Sequence, residues 1–123
     1  MKELKVLLVD DEEEFTSALA ERFGLRGIRA STASSGEEAL KMIEADPPHV
    51  VVLDMMMPGI GGIEILARIR SAYPKIGVIF LTGQLHTAAD PTLGPAYCEY
   101  LVKPVNIEEL IVKIRSAAAC AGT

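Results

Sequence analysis

The chain of 123 residues has the length of one ordinary domain and can bury a core without staples. Twelve Lys and Arg stand against seventeen Asp and Glu, a net charge of -5, which argues against electrostatic capture of nucleic acid or an anionic membrane. Half of the residues are apolar, which excludes a disordered chain, and 5% are aromatic with no Trp, which disfavours a stacking platform for single strands.

Leu4–Val9 opens the chain as a strand; it is too short for a signal-peptide core and runs directly into acids. Phe15, Leu19 and Phe23 follow at helical spacing, and Gly27 ends that helix. Ile28–Thr32 reads as the second strand. Ser35-Gly36-Glu37-Glu38 is a capping box ahead of a helix carrying Ala39, Leu40 and Ile43. Pro47-Pro48 turns the chain into Val50–Leu53, a fully apolar strand. Ile65, Leu66 and Ile69 mark the third helix, and Pro74 precedes the strand Ile76–Leu81. Glu99–Val102 is the fifth strand, and Asn106-Ile107-Glu108-Glu109 caps a last helix with Leu110, Ile111 and Ile114.

Strands alternating with helices of this length predict βαβ units and a parallel sheet. One slot departs from the pattern. Asp90-Pro91 and Gly94-Pro95 interrupt Gln84–Cys98, so the fourth helix is expected to be short and irregular. No repeat, linker or second domain is apparent, so residues 1–123 are expected to form a single domain without an output domain. No apolar segment approaches the length of a membrane span, and the expected location is the cytoplasm. Cys98 and Cys120 fit free buried thiols of a reducing compartment.

In such a sheet all strand C-terminal ends open on one rim, where ligands bind. Strand one ends in Asp10-Asp11, strand three in Asp54, strand four in Thr82-Gly83 and strand five in Lys103-Pro104. Carboxylates this close resist joint ionisation unless a cation sits among them. An all-oxygen set suits Mg²⁺ or Mn²⁺ rather than zinc. A carboxylate can also attack phosphorus, with Lys103 and Thr82 placed to meet phosphoryl oxygens. Glu12, Glu13 and Glu14 are read instead as acids favouring a helix N-terminus. Met55, Met56 and Met57 are read as packing and loop, and His49 and His86, which lack metal spacing, as surface or loop residues.

The acidic pair in LLVDDEE, the segment VVVLDMMMPGIGG, the strand end FLTG and the segment YLVKP together resemble the receiver domain of bacterial two-component response regulators. The resemblance runs from Lys5 to the last helix. It implies a three-layer α/β/α fold with a five-stranded parallel sheet of order 2-1-3-4-5, flavodoxin-like and doubly wound. It implies that Asp54 accepts a phosphoryl group from a sensor histidine kinase or a phosphotransfer protein, with Thr82 and Lys103 assisting. Mg²⁺ (or Mn²⁺) would be held by Asp10, Asp11, Asp54 and the backbone carbonyl of Met56. Thr82 and Tyr100 would be the switch pair that relays the change to a downstream protein, in a signalling domain rather than an enzyme. No direct contact with nucleic acid or membrane is expected of this domain. The family's usual Gly-Ala step before the switch aromatic is Ala96-Tyr97 here, so Tyr97 and Tyr100 are expected to give the partner face a different organisation.

Two rival classes use part of the same chemistry. Phosphohydrolases of the haloacid-dehalogenase type place a second Asp two residues after the nucleophile, where this chain has Met56, and they need a cap for which no residues remain. A phosphorylation-independent docking module would not need Asp10, Asp11, Asp54, Thr82 and Lys103 together.

Overall fold

The structure is a computed structural model that describes residues 4–54, 62–82, 99–102 and 106–122. Five parallel strands, β1 (Lys5–Val9), β2 (Arg29–Ala33), β3 (Val50–Asp54), β4 (Gly77–Thr82) and β5 (Glu99–Val102), form one sheet in the order β2-β1-β3-β4-β5. The described helices are α1 (Glu13–Leu25), α2 (Gly36–Ala45), α3 (Gly62–Ala72) and α4 (Ile107–Gly122). The expected doubly wound order is therefore present. The expected irregular fourth helix at Gln84–Cys98 lies outside the described residues.

Side chains alternate across the central strands and divide the core in two. Leu7, Val9, Val51, Leu53, Val78 and Phe80 pack against Ala39 and Ile43 of α2 and Ile65, Leu66 and Ile69 of α3. Val6, Leu8, Val50, Val52, Ile79 and Leu81 pack against Leu19 and Phe23 of α1 and Leu110, Ile111 and Ile114 of α4. Burial on both faces explains why β3 reads as an unbroken apolar run rather than an alternating one. β2 differs because it is an edge strand. Arg29, Ser31 and Thr32 are exposed, and only Ala33 is buried.

The helix ends follow local chemistry. Gly27, at φ 77°, ends α1 in a left-handed turn in which its amide donates to Gly24 O and the Ile28 amide donates to Phe23 O. Phe23 and Ile28 then join the same core cluster, completing a Schellman ending. That use of Ile28 starts β2 one residue later than the apolar run suggests. Ser35 Oγ accepts from the Glu38 amide at 3.1 Å, and Glu38 Oε1 accepts from the Ser34 amide at 2.7 Å. The box therefore closes one residue earlier than the sequence pattern implies. Asn106 Oδ1 caps α4 through the Glu109 amide at 3.0 Å.

The N-terminal edge of the sheet is tied together by His49. Its Nδ1 accepts from the Lys5 amide at 2.9 Å, its own amide donates to Lys5 O at 2.9 Å, and its carbonyl accepts from the Gly77 amide at 3.0 Å. It is half-buried and structural, not the plain loop residue the sequence suggested. Nearby, Lys5 Nζ meets Asp46 Oδ1 at 2.7 Å, and that ammonium holds the exposed Asp46 carboxyl below its ordinary range. The pair's small contribution is present at neutral pH and is lost as pH falls through the lowered value.

Two glycines have opposite meanings. A Cβ on Gly77 would meet the Ala117 carbonyl oxygen at 2.7 Å, because α4 lies directly on β4 there, whereas a Cβ on Gly24 meets nothing within 4 Å. Gly77→Ala is expected to lower stability by about 1–3 kcal/mol through overpacking against backbone. Gly24→Ala, inside α1, is expected to raise it by about 0.5–1 kcal/mol. Urea denaturation of the two variants beside the parent checks both signs.

Candidate functional site

The sheet register dictates which residues meet. Val9 pairs with Leu53 across β1 and β3, so the residues that follow, Asp10 and Asp54, emerge side by side. Asp54 pairs with Leu81 of β4, and Thr82 comes next; Thr82 in turn pairs with Val102 of β5. The C-terminal edge thus gathers Asp10, Asp11, Asp54 and Thr82. Tyr100 sits in β5 in register with Phe80. Lys103 and Met56 lie outside the described residues.

Asp10 and Asp54 are 1% and 5% exposed, the two buried acids among the described residues, while Asp11 is exposed. One carboxylate oxygen from each of Asp10, Asp11 and Asp54 can be chosen so that all lie within 4.8 Å of one another. Opposite ligands of an octahedral ion with bonds of about 2.1 Å stand about 4.2 Å apart, so the set matches the span of one hard cation. Hard oxygen donors fit Mg²⁺ or Mn²⁺; no nitrogen or sulfur ligand joins the cluster among the described residues.

The backbone fixes Asp10 in two ways. Its amide donates to the Ala33 carbonyl at 3.1 Å, and its Oδ1 accepts from the Glu12 amide at 2.9 Å. The second bond is an Asx-type turn, which fixes the orientation of the Asp10 carboxylate. Sequence reading did not identify these supports, although an Asp two residues before a helix start is their usual signature. Glu12 occupies the N-cap position of α1 without a side-chain cap, and Glu13 and Glu14 stand in the first turn where the helix dipole favours acids. Asp11 precedes the cap and does not close a capping box with Glu14. The acids of LLVDDEE therefore divide into a rim pair and a helix-start set, as their order suggested.

Gathering carboxylates costs free energy that a bound cation offsets. Millimolar Mg²⁺ is therefore expected to raise the melting temperature, by mass action on the native state. Asp54→Asn, which removes one charge from the cluster, is expected to be more stable than the parent when metal is absent. Differential scanning calorimetry with and without chelator measures both effects.

Comparison with known proteins agrees with this geometry. A sequence model described as "Response regulator receiver domain" matches residues 6–115. Response regulator MprA of Mycobacterium leprae is 32% identical over 114 residues, covering 92% of this chain and 50% of MprA. The transcriptional regulatory protein TrcR of Mycobacterium tuberculosis is 33% identical over 114 residues, 91% of this chain and 44% of TrcR. The chain thus spans about half the length of the curated relatives it matches. Among solved structures, the response regulator TrrA of Thermotoga maritima in complex with Mg(2+)-BeF is 36% identical, with a TM-score of 0.85 over 93% of this chain and 98% of that one. A response regulator receiver domain protein of Clostridium thermocellum is 32% identical, with a TM-score of 0.86 over 95% of each chain.

Proposed function

Because the chain belongs to the response regulator receiver domain family, the signalling domains of two-component systems, we propose that it is a switch operated by phosphorylation of Asp54. The observation that carries this reading is the cluster of Asp10, Asp11 and Asp54 at one strand edge, two of its three acids buried. That TrrA was solved in complex with Mg(2+)-BeF supports the reading that a divalent cation joins this cluster.

In the proposed step, an Asp54 carboxylate oxygen forms a bond to phosphorus as the phosphorus–nitrogen bond to a donor imidazole breaks. The imidazole takes up a proton and leaves, and Asp54 becomes an acyl phosphate. Asp10, Asp11, Asp54 and the Met56 carbonyl would hold Mg²⁺ or Mn²⁺, which would supply the positive charge that lets an anionic phosphoryl group approach a carboxylate. Lys103 pairs with one phosphoryl oxygen and Thr82 donates its hydroxyl proton to another. Thr82 moves towards the new group, and Tyr100 follows into the space it leaves. A ligand of roughly -1.5 to -2 charge thereby biases an existing equilibrium between two forms.

The donor is a histidine kinase or phosphotransfer protein, and the altered face engages a downstream protein. The domain contacts neither nucleic acid nor membrane itself, acts in the cytoplasm and turns over no separate substrate beyond its own phosphoryl group. No described helix is long and apolar enough to cross a membrane. In this reading residues 1–123 form one receiver domain.

Acetyl phosphate with Mg²⁺ is expected to add one phosphoryl group, at Asp54. Intact-mass spectrometry reads the addition. The label should be absent from Asp54→Ala and from chelator-treated protein; equal labelling of either would overturn the assignment.

A further inference from the structure

A cavity lies at the other end of the sheet from the acids. It sits on the α2 side of β1 and β2, where the ten-residue α2 ends before covering the strands' first residues. The first register pair, Lys5 and Arg29, and the third, Leu7 and Ser31, line it together with Met42 and Asp46. Its volume is about 220 Å³. That lies below the ~300 Å³ at which drug-sized sites begin, and it suits a ligand of fragment size.

The charges at its mouth are unequal. Lys5 is engaged by Asp46 at 2.7 Å, so these two offset each other. Arg29 forms no ion pair among the described residues, though its positive charge is felt at Asp46. A surplus guanidinium beside the Ser31 hydroxyl, on an otherwise acidic chain of net charge -5, selects an anion. The planar fork of Arg matches a carboxylate, and Leu7 and Met42 give an apolar wall behind it.

We propose that this cavity binds a small aliphatic carboxylate, its head on Arg29 and Ser31 and its short chain against Leu7 and Met42. The site goes beyond the phosphorylation chemistry and shares no residue with it. Register places it at the first β1–β2 pair, whereas Asp10 follows the last one, Val9 with Ala33. Hexanoate is the probe, with an expected dissociation constant on the order of 1 mM for so few atoms.

Titration of the ¹⁵N-labelled chain decides the matter. Hexanoate should shift the amides of Lys5–Leu7, Arg29–Ser31 and Met42–Asp46 saturably, and hexylamine should not. Arg29→Gln should weaken hexanoate about tenfold while its ¹⁵N spectrum stays as dispersed as the parent's, which reports an intact fold. Ala45→Leu, at an exposed cavity position, should block hexanoate by filling space, and it serves as the deciding variant if Arg29→Gln does not fold. Equal response to hexylamine, undiminished binding by both variants, or no saturable shift at ten times the expected constant would overturn the proposal. Failure of Asp54 labelling in the parent would leave this result untouched, since the two sites are read independently.

Discussion

The register between β1 and β3 is the constraint on which the site depends. A one-residue slip in a strand sends every side chain to the opposite face. Here a slip would take Asp10 away from Asp54 and also turn Leu7 and Val9 out of the α2–α3 core. Core packing and site assembly are therefore the same requirement. Leu53 and Val9 are both at most 1% exposed, so the register that buries them is strongly specified, and the two acids follow from it without further instruction.

That arrangement sets two demands against each other. Apolar burial holds the strands together, while two buried carboxylates at their ends oppose the same closure. The backbone offsets part of the opposition through the Glu12 amide on Asp10 Oδ1, and α1 starts immediately beyond, presenting its positive end to the loop. The proposed metal-binding and phosphoryl-accepting role of this edge fits such tension.

Much of this was legible in the sequence because each signal was local. The apolar run Val50–Leu53, the acids after Val9 and the caps at Ser35 and Asn106 each need only a few neighbouring residues, and the structure has all of them. What escaped were contacts between distant segments. His49 looked like a loop residue because its partners, Lys5 and Gly77, stand far from it in the chain. Nothing within the predicted strand Ile76–Leu81 singled out Gly77, because Ala117, the backbone it accommodates, is forty positions away. β2 was read as apolar from Ile28, whose real task is to finish α1. Lys103 and Met56 rest on the family resemblance, and Thr82 and Tyr100 on strand position together with that resemblance.

The two edges of the sheet divide the labour. At the N-terminal edge, the His49 bonds, the Lys5–Asp46 pair and the close approach of Gly77 to Ala117 lock β1, β3, β4 and α4 to one another. At the C-terminal edge the Asp10 amide donates to the Ala33 carbonyl and the Glu12 amide to Asp10 Oδ1, and the strands end at Asp54, Thr82 and Val102. A switch needs one edge held firmly. If both edges were equally fixed, charge arriving at Asp54 would meet a rigid frame and shift no equilibrium; if neither were fixed, it would have no frame to act against. Strands only four to six residues long separate that fixed frame from the carboxylates, so a change at Asp54 is felt against it at short range.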